Sequence, residues 1–361
     1  MIYNIYPTKD TTIYSYSASA NFGLDPVLEI EKTLPIPSSP SIKNEARTLI
    51  KFDWDKASTE LNALPGAFAT KLSSNNFSAN IIIHSTAAEN IPYSYKLEAL
   101  RLDADWEMGL GKKINTPPTQ KGVSWGFKDQ SGSSDWSTQG GSIQTTHANV
   151  QTQSFEFEST DIKINVSESI AIISDDQSGV EDYGYVIRFS SSLAADNLDY
   201  GTLKFFSSDS NTIYSPKLQF GWDDSAYSTG SLSSADTDEI MVYLKNNKYE
   251  YQEKEVIRFQ VRARDVFPTQ TYSTTSAALD VKYLPTGSYY SIKDAETEES
   301  VINFDHLYTK VSCTSSGNYF DIAMNALTPE RLYKVVLKVE DRTYGSQVEI
   351  FDSNHIFKVV R

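Results

Sequence analysis

Three of the five tryptophans fall in one polar region rich in glycine, serine and proline: Trp106 lies in DWEMGLG, Trp125 ends NTPPTQKGVSW, and Trp136 lies in SDWSTQGG. Indole rings stack on sugar rings through apolar contact, and neighbouring carboxylates accept hydrogen bonds from sugar hydroxyls. Glu107 and Asp135 are the carboxylates next to these rings in the sequence. Together the five residues predict a carbohydrate-binding platform.

The same region also fits a structural interpretation. A long loop that crosses a β-sandwich needs large buried side chains to hold it in place. Burial of one tryptophan contributes about 2–3 kcal/mol to the free energy of folding. We favour this role for Trp106 and Trp125. The question of sugar binding then concentrates on Trp136 and Asp135, which stand among serine and glycine residues.

Catalytic motifs lack their structural context. GVSWG (Gly122–Gly126) matches the G-x-S-x-G turn of esterases, but the polar, glycine-broken FKDQSGSSDW that follows predicts no helix. The four histidines are scattered and form no HExxH motif. The single cysteine, Cys313, lies in the alternating KVSCT, which predicts a buried thiol. We therefore predict a non-enzymatic protein with no catalytic residue.

Acidic residues recur at a spacing of two in LDADWE. Asp103, Asp105 and Glu107 share one face if the strand continues through them, and hard cations take several such oxygens. No stretch matches the EF-hand pattern. A solvated acidic face is the ordinary interpretation, and a structural Ca²⁺ is the alternative. We predict no dedicated metal ligand set and no other cofactor.

A row of arginines lies in EVIRFQVRARD (Glu255–Asp265). Arg258, Arg262 and Arg264 fall on the face opposite the apolar residues of the same strand. Arginine is favoured at protein interfaces for its planar head with several donors. The row predicts a face that docks an acidic protein partner, and an ordinary wet sheet face is the alternative.

Composition limits the classes of partner. The 361 residues carry a formal net charge of -15, which opposes non-specific binding to nucleic acid or anionic membranes. No segment is apolar enough to cross a bilayer, and the N-terminal residues do not read as a signal peptide. We expect no nucleic-acid partner and no membrane insertion.

Many short runs rich in tyrosine, threonine and valine predict an all-β protein. We predict an N-terminal jelly-roll β-sandwich over residues 1–223, a Ser/Asp/Gly-rich linker over 224–238, and a C-terminal immunoglobulin-like β-sandwich over 239–361. One short helix is predicted within Lys56–Gly66. Asp161–Ile173 is predicted to be a strand, and Tyr93 is predicted to share a strand face with Tyr95.

The order of several sequence pieces in residues 1–222 resembles the DNRLRE family of β-sandwich domains, which is related to carbohydrate-binding modules. The pieces are DTTIYSYSASANFGLDPVLEI, ARTLIKFDW, ADWEMGLGKK with KGVSW, SDWSTQGGSI, DIKINVSESI, YGYVIRFS and LKFFSSDSNTIYSPKLQFGWDD. The resemblance implies a jelly roll with a non-catalytic role. Members of that family are adhesion or carbohydrate-binding parts of secreted and wall-associated proteins.

The two-sandwich organisation is also similar to virion proteins of tailed bacteriophages. We therefore expect a structural protein of the neck, baseplate or fibre region, located in the virion and present in repeated copies that contact other virion proteins. The alternative is an extracellular or cell-surface module that recognises glycans.

Overall fold

The structure is a computed structural model that describes residues 1–36, 39, 42–64, 68–73, 76–146, 149–157, 159–175, 181–235, 240–245, 247–267, 281–341 and 347–361. Strands account for 45% of the residues and helices for 11%, so the prediction of a mostly β protein is confirmed.

The chain divides into two compact units. The first unit comprises Ile5–Ala63 and Ser78–Gln219, and the second unit comprises Met1–Asn4, Leu64–Phe77 and Phe220–Arg361. The single boundary predicted within 224–238 stays a prediction. Residues 236–238 lie outside the described residues.

Strand β1 (Ile2–Ile5) begins the chain. The strands that follow, mostly in the first unit, are β2 (Lys9–Tyr14), β3 (Val27–Thr33), β4 (Asn44–Lys51), β5 (Ser78–Ile83), β6 (Ser85–Glu89), β7 (Tyr95–Arg101), β8 (Phe127–Asp129), β9 (Ser134–Asp135), β10 (Gln151–Phe155), β11 (Ile162–Asn165), β12 (Tyr185–Phe189), β13 (Gly201–Phe206) and β14 (Lys217–Gly221). The main sheet has the order β10-β7-β12-β4-β3-β13-β6, with β2 also paired to β4. In a smaller sheet, β5 lies between β11 and β14.

Helix α1 (Trp54–Ala63) lies where a short helix was predicted. Its first turn is capped, because the Lys56 N–H donates to Asp53 Oδ1 at 3.0 Å. Ala57 and Leu61, one turn apart, are its buried residues. The other helices are α2 (Phe68–Leu72), α3 (Ser167–Ser174) and α4 (Ser191–Ala195).

Two local predictions in the first unit are wrong. Asp161–Ile173 is not one strand, because α3 follows β11. Asn165 Oδ1 accepts the Ser167 N–H at 2.9 Å, and Ile170 and Ile173 are buried at helical spacing. Tyr93 precedes β7 and is 70% exposed, whereas Tyr95 is buried in the strand.

The remaining strands belong to the second unit. They are β15 (Ser233–Ser234), β16 (Ile240–Lys245), β17 (Glu250–Gln252), β18 (Val256–Asp265), β19 (Lys282–Tyr283), β20 (Ser288–Asp294), β21 (Ser300–Ile302), β22 (Ser312–Thr314), β23 (Gly317–Ala323), β24 (Leu332–Asp341) and β25 (Gln347–Val360). One sheet has the order β15-β19-β18-β23-β22, with β16 on β18, and another has the order β17-β25-β24-β20-β21.

These two sheets of the second unit share one aromatic core. The Phe259 and Phe320 rings, on β18 and β23, stack with 5.3 Å between their centroids. The Tyr290 ring, on β20 of the other sheet, stacks on Phe320 at 4.3 Å. Cys313 is fully buried, as predicted. Two mostly antiparallel layers therefore bury the apolar face of β18 and turn its other face outward.

The segment that follows Trp222 is hydrogen-bonded into the second unit as far as the structure describes it. The Cys313 N–H donates to Ala226 O, and the Ser228 N–H donates to Cys313 O, both at 2.9 Å. Further along, β15 pairs with β19 in parallel.

Candidate functional site

The three tryptophans of the polar region are buried together in the first unit. Trp106 is 1% exposed, Trp125 9% and Trp136 5%. Their rings belong to one apolar cluster with side chains of the main sheet, including Leu49 and Val186. We call this segment, residues 103–143, the tryptophan loop. Its indoles pack on the sheet and hold the loop there.

Polar contacts complete the burial of the indoles. Trp106 Nε1 donates to Tyr183 O at 3.0 Å, and Trp136 Nε1 donates to Ser124 O at 3.1 Å. The indole N–H groups of Trp106 and Trp136 therefore each have an acceptor, as buried donors require. Stacking of a sugar on either ring would require the cluster to open.

The third ring, Trp125, is covered by a cation. The Arg47 guanidinium carbon lies 4.5 Å from the Trp125 ring centroid, and Arg47 Nη1 donates to Gly140 O at 2.8 Å. Gly140 has a φ of +82°, and a Cβ there would lie 2.9 Å from the Trp125 ring. Glycine is required at this close approach.

The two carboxylates predicted beside these rings lie at the surface. Glu107 and Asp135 are both exposed, and Glu107 Oε1 is 3.5 Å from Lys9 Nζ. The two carboxylates are thus adjacent to indoles in the sequence. In the fold, the carboxylates are exposed to solvent and the indoles are buried. Sugar contacts by Trp106, Trp125, Trp136, Glu107 and Asp135 stay a prediction.

Asn21 joins the loop to the sheet, and sequence reasoning missed its role. Its side chain, in a residue only 1% exposed, donates to Met108 O and Val123 O, both at 2.8 Å. Its Oδ1 accepts N–H groups from Gly23 at 3.2 Å and Gly111 at 2.8 Å. One buried amide therefore satisfies four backbone groups on three segments of chain.

Two glycines of the loop, Gly109 and Gly111, are explained by their close approach to the same residue, Asn21. A Cβ on Gly109, which has a φ of +78°, would lie 2.4 Å from Asn21 Oδ1, and one on Gly111 would lie 2.0 Å from Asn21 O. The signal available in the sequence was the asparagine of NFG together with the glycines of WEMGLG.

Ser124, the centre of the GVSWG motif, does not have the geometry of an esterase nucleophile. Ser124 is fully buried, and among the described residues its hydroxyl has no hydrogen-bond partner. The next element is strand β8 rather than a helix. The nucleophile elbow needs a strand-to-helix turn that exposes the hydroxyl, and this turn is missing at Ser124.

Two of the alternating acids of LDADWE, Asp105 and Glu107, contact lysines. Lys51 Nζ lies 2.9 Å from Asp105 Oδ1, and Lys9 Nζ lies 3.7 Å from the same atom. Burial raises the pKa of Asp105, but the hydrogen bonds from Lys51 and the Trp106 N–H and the positive charges of Lys51 and Lys9 together outweigh it, so that pKa is lowered overall. Within the described part of the chain, no three His, Cys, Asp or Glu side chains are arranged to hold a metal ion. This finding does not test the alternative of a structural Ca²⁺.

The arginine row lies on the outer face of β18, between β16 and β23. The alternation predicted for this strand is confirmed, because Phe259, Val261 and Ala263 are buried. Arg258 binds its cross-strand neighbour Asp321 through two hydrogen bonds of 2.9 and 2.8 Å. Its charge is therefore balanced within the chain.

Arg262 and Arg264 differ from Arg258 in their partners. Among the residues that the structure describes, Arg262 Nη1 donates to Ser316 O alone, at 3.3 Å. Arg264 donates weakly to Asp265 O at 3.4 Å and contacts the Met241 sulfur at 3.3 Å. Among the described residues neither guanidinium forms an ion pair with a carboxylate, so both positive charges remain uncompensated.

Exposed aromatic and thioether side chains flank these two arginines. The register of β16 on β18 sets Tyr243 opposite Arg262 and Met241 opposite Arg264. Tyr243 is 39% exposed and Met241 41%. A shallow groove of about 120 Å³ runs beside Arg262 and Tyr319. Arginine, tyrosine and methionine are the residue types enriched in protein interfaces. We call these residues, with Arg258, the arginine face.

Comparison with known proteins identifies no family for this chain. No model of a known protein family matches the chain, and no curated protein is similar to it in sequence. Among the described residues, no helix has the length and apolarity needed to span a bilayer.

Proposed function

We propose that this chain is a non-enzymatic structural protein that assembles by docking its arginine face onto an acidic surface of another copy. The observation that carries the proposal is the pair of guanidiniums, Arg262 and Arg264, that form no ion pair within the described part of the chain and lie beside the exposed side chains of Tyr243 and Met241. Such a face combines charge for orientation with apolar area for affinity.

The net charge of the whole chain indicates which partner the arginine face binds. With a formal net charge of -15, every copy offers acidic surface to the arginine face of another. Two arginine faces cannot meet each other, because the like charges would repel. The contact therefore joins different surfaces on the two copies. A reciprocal pair of such contacts about a two-fold axis closes a dimer, and contacts that are not reciprocal build rings or filaments.

Repeated copies of this kind fit a tailed-phage virion component such as a neck, baseplate or fibre-associated adaptor. We include in the proposal a location in the virion, a DNRLRE-type jelly roll within residues 1–223 and an immunoglobulin-like sandwich within 239–361. The two mostly antiparallel sheets that share one core in the second unit support a sandwich there. Contacts with other virion proteins would use the same surface chemistry.

The test is the oligomeric state of the full chain by sedimentation velocity, with electron microscopy of the products. We expect salt-sensitive oligomers in the native chain, and at least about tenfold weaker association in Arg262→Glu/Arg264→Glu. Lys112→Glu/Lys121→Glu makes the same change in net charge at exposed positions of the tryptophan loop and should assemble like the native chain.

A native chain that stays monomeric at low salt overturns the proposal. Equal association of the arginine variant and the lysine control overturns it as well. Circular dichroism of each variant separates loss of docking from loss of fold.

A further inference from the structure

A cleft of about 740 Å³ opens in the first unit. It lies between the starts of β2 and α1, the end of α3 and the residues that lead into β12. Trp54, the half-buried first residue of α1, lines it, and we call it the Trp54 cleft. Its volume falls within the roughly 300–1,000 Å³ typical of binding sites. Residues 176–180, which connect α3 to this region, lie outside the described residues.

The lining of the Trp54 cleft is acidic. Its carboxylates belong to Asp53, Asp55, Glu181 and Asp182. Asp182 accepts the N–H of Gly184 at 3.2 Å and also the backbone N–H of Trp54. Burial raises the pKa of Asp182 to about 6, so most of this carboxyl is charged at neutral pH. Within the described part of the chain, none of the four carboxylates forms a salt bridge with a lysine or an arginine.

The two lysines of the cleft do not balance these acids, because they are paired with other carboxylates. Lys51 Nζ lies 2.9 Å from Asp105 Oδ1, and Lys9 Nζ lies 3.5 Å from Glu107 Oε1. The four carboxylates of the lining therefore leave a net negative charge. A cleft lined by charge of one sign focuses the electrostatic field and attracts the opposite charge.

Exposed carboxylates elsewhere in the described residues include several that are already held by lysines. Glu89 pairs with Lys204, and Glu330 pairs with Lys358. A cation that approached either glutamate would have to displace the lysine. The carboxylates of the Trp54 cleft need no such exchange, so the cleft is the more favourable place for a cationic partner.

The indole of Trp54 indicates which cation fits. Asp53 and Asp55 flank Trp54 in the sequence, and all three residues line the cleft. A guanidinium stacks on an aromatic face and donates two parallel hydrogen bonds to a carboxylate. An ammonium lacks this planar fork and is more strongly hydrated. The combination of an indole with carboxylates therefore favours arginine over lysine.

The chain itself carries the matching side chains. Arg262 and Arg264 are two residues apart on β18, so they stand about 7 Å apart on one face of the strand. Within the described residues, neither guanidinium is paired with a carboxylate. We propose that the Trp54 cleft of one copy receives Arg262 and Arg264 of another copy. This inference rests on the proposed function, because it names the acidic surface onto which the arginine face docks.

The test is the association of charge-reversed full chains, alone and mixed, by sedimentation velocity at low salt. Asp55→Lys/Glu181→Lys, the cleft variant, reverses two exposed carboxylates. We expect it to associate at least about tenfold more weakly than the native chain, as Arg262→Glu/Arg264→Glu does. An equimolar mixture of these two variants should associate again, because each supplies the surface that the other lacks.

The matched control is Glu156→Lys/Glu168→Lys, which makes the same change in net charge at exposed positions of the first unit. Glu168, like Asp55, lies in the first turn of a helix. This control should associate like the native chain. Trp54→Leu keeps an apolar side chain but removes the indole, and it should weaken association about fivefold. Circular dichroism checks that each variant is folded.

Four results would overturn the inference. They are a cleft variant that associates like the control, a mixture of the two charge-reversed variants that stays dissociated, association of Trp54→Leu at the native strength, and a native chain that is monomeric at low salt. The first three leave the docking proposal standing if the arginine variant still loses association, and the acidic partner surface then lies elsewhere. The fourth overturns both.

Discussion

The tryptophan loop and the arginine face contain similar kinds of side chain, but the loop orients them toward the core and the face orients them toward solvent. Both set aromatic rings beside charged groups, and both were candidate binding surfaces by sequence. The loop turns its indoles inward, where Trp106, Trp125 and Trp136 have 9% or less of their surface exposed. The face turns its guanidiniums and Tyr243 outward. Residue type therefore did not decide which region is available to a partner.

The difference lies in what supports each set of side chains. On β18 the backbone is a regular strand, so successive side chains alternate between core and solvent. In the loop, orientation is set by distant groups such as the Asn21 amide and the Arg47 guanidinium. A regular element fixes direction locally, whereas an irregular one needs tertiary partners.

The largest expected effect is on Trp136, the loop indole set among serines and glycines. Trp136→Ala should lower the free energy of unfolding of the first unit by about 3–5 kcal/mol, because it removes a buried ring and the hydrogen bond to Ser124 O. Denaturant unfolding followed by circular dichroism measures the change. The half-buried Trp54, replaced by alanine, should cost clearly less.

A loss of less than about 1 kcal/mol in the free energy of unfolding for Trp136→Ala would contradict the contrast between a buried loop and an exposed arginine face. The ring would then not be an anchor, and the loop would again be a candidate sugar platform.

A smaller loss is expected at Asn21. Asn21→Ala should cost about 2–4 kcal/mol in the same assay, because it leaves buried backbone groups without partners. Asn115→Ala is the matched control, since that half-buried amide makes one side-chain bond, to Thr119 Oγ1 at 2.8 Å. Equal losses at the two positions would mean that Asn21 does not organise the loop.

The smallest effects should occur on the arginine face, and they separate its members. Arg258→Ala should lower the stability of the second unit by about 0.5–1 kcal/mol, because the exposed ion pair with Asp321 is lost. Arg262→Ala should change the stability by less than about 0.5 kcal/mol. Thermal unfolding of the two variants checks the difference. If Arg262→Ala is as destabilising as Arg258→Ala, its guanidinium serves the fold and is not free to dock.

Sequence reasoning succeeded where local geometry was decisive. The alternation of β18, the short helix ending before Pro65 and the burial of Cys313 followed from periodicity and from helix-breaking residues. It failed at α3, because the apolar run of SESIAII also suits a strand, and Ile170 and Ile173 gave too short a helical repeat to decide. It also missed Asn21, since a single polar residue carries no periodic signal.

By itself the sequence determined the mostly β class, the charge that opposes polyanion partners and the side of β18 on which the arginines lie. Each of these depends on composition or on the geometry of neighbouring residues along the chain. Only the tertiary structure decided that Trp136 is buried while Trp54 lines a cleft. The reason is physical: the exposure of a side chain in a loop, or at the end of a helix, depends on which surfaces from distant parts of the sequence cover it.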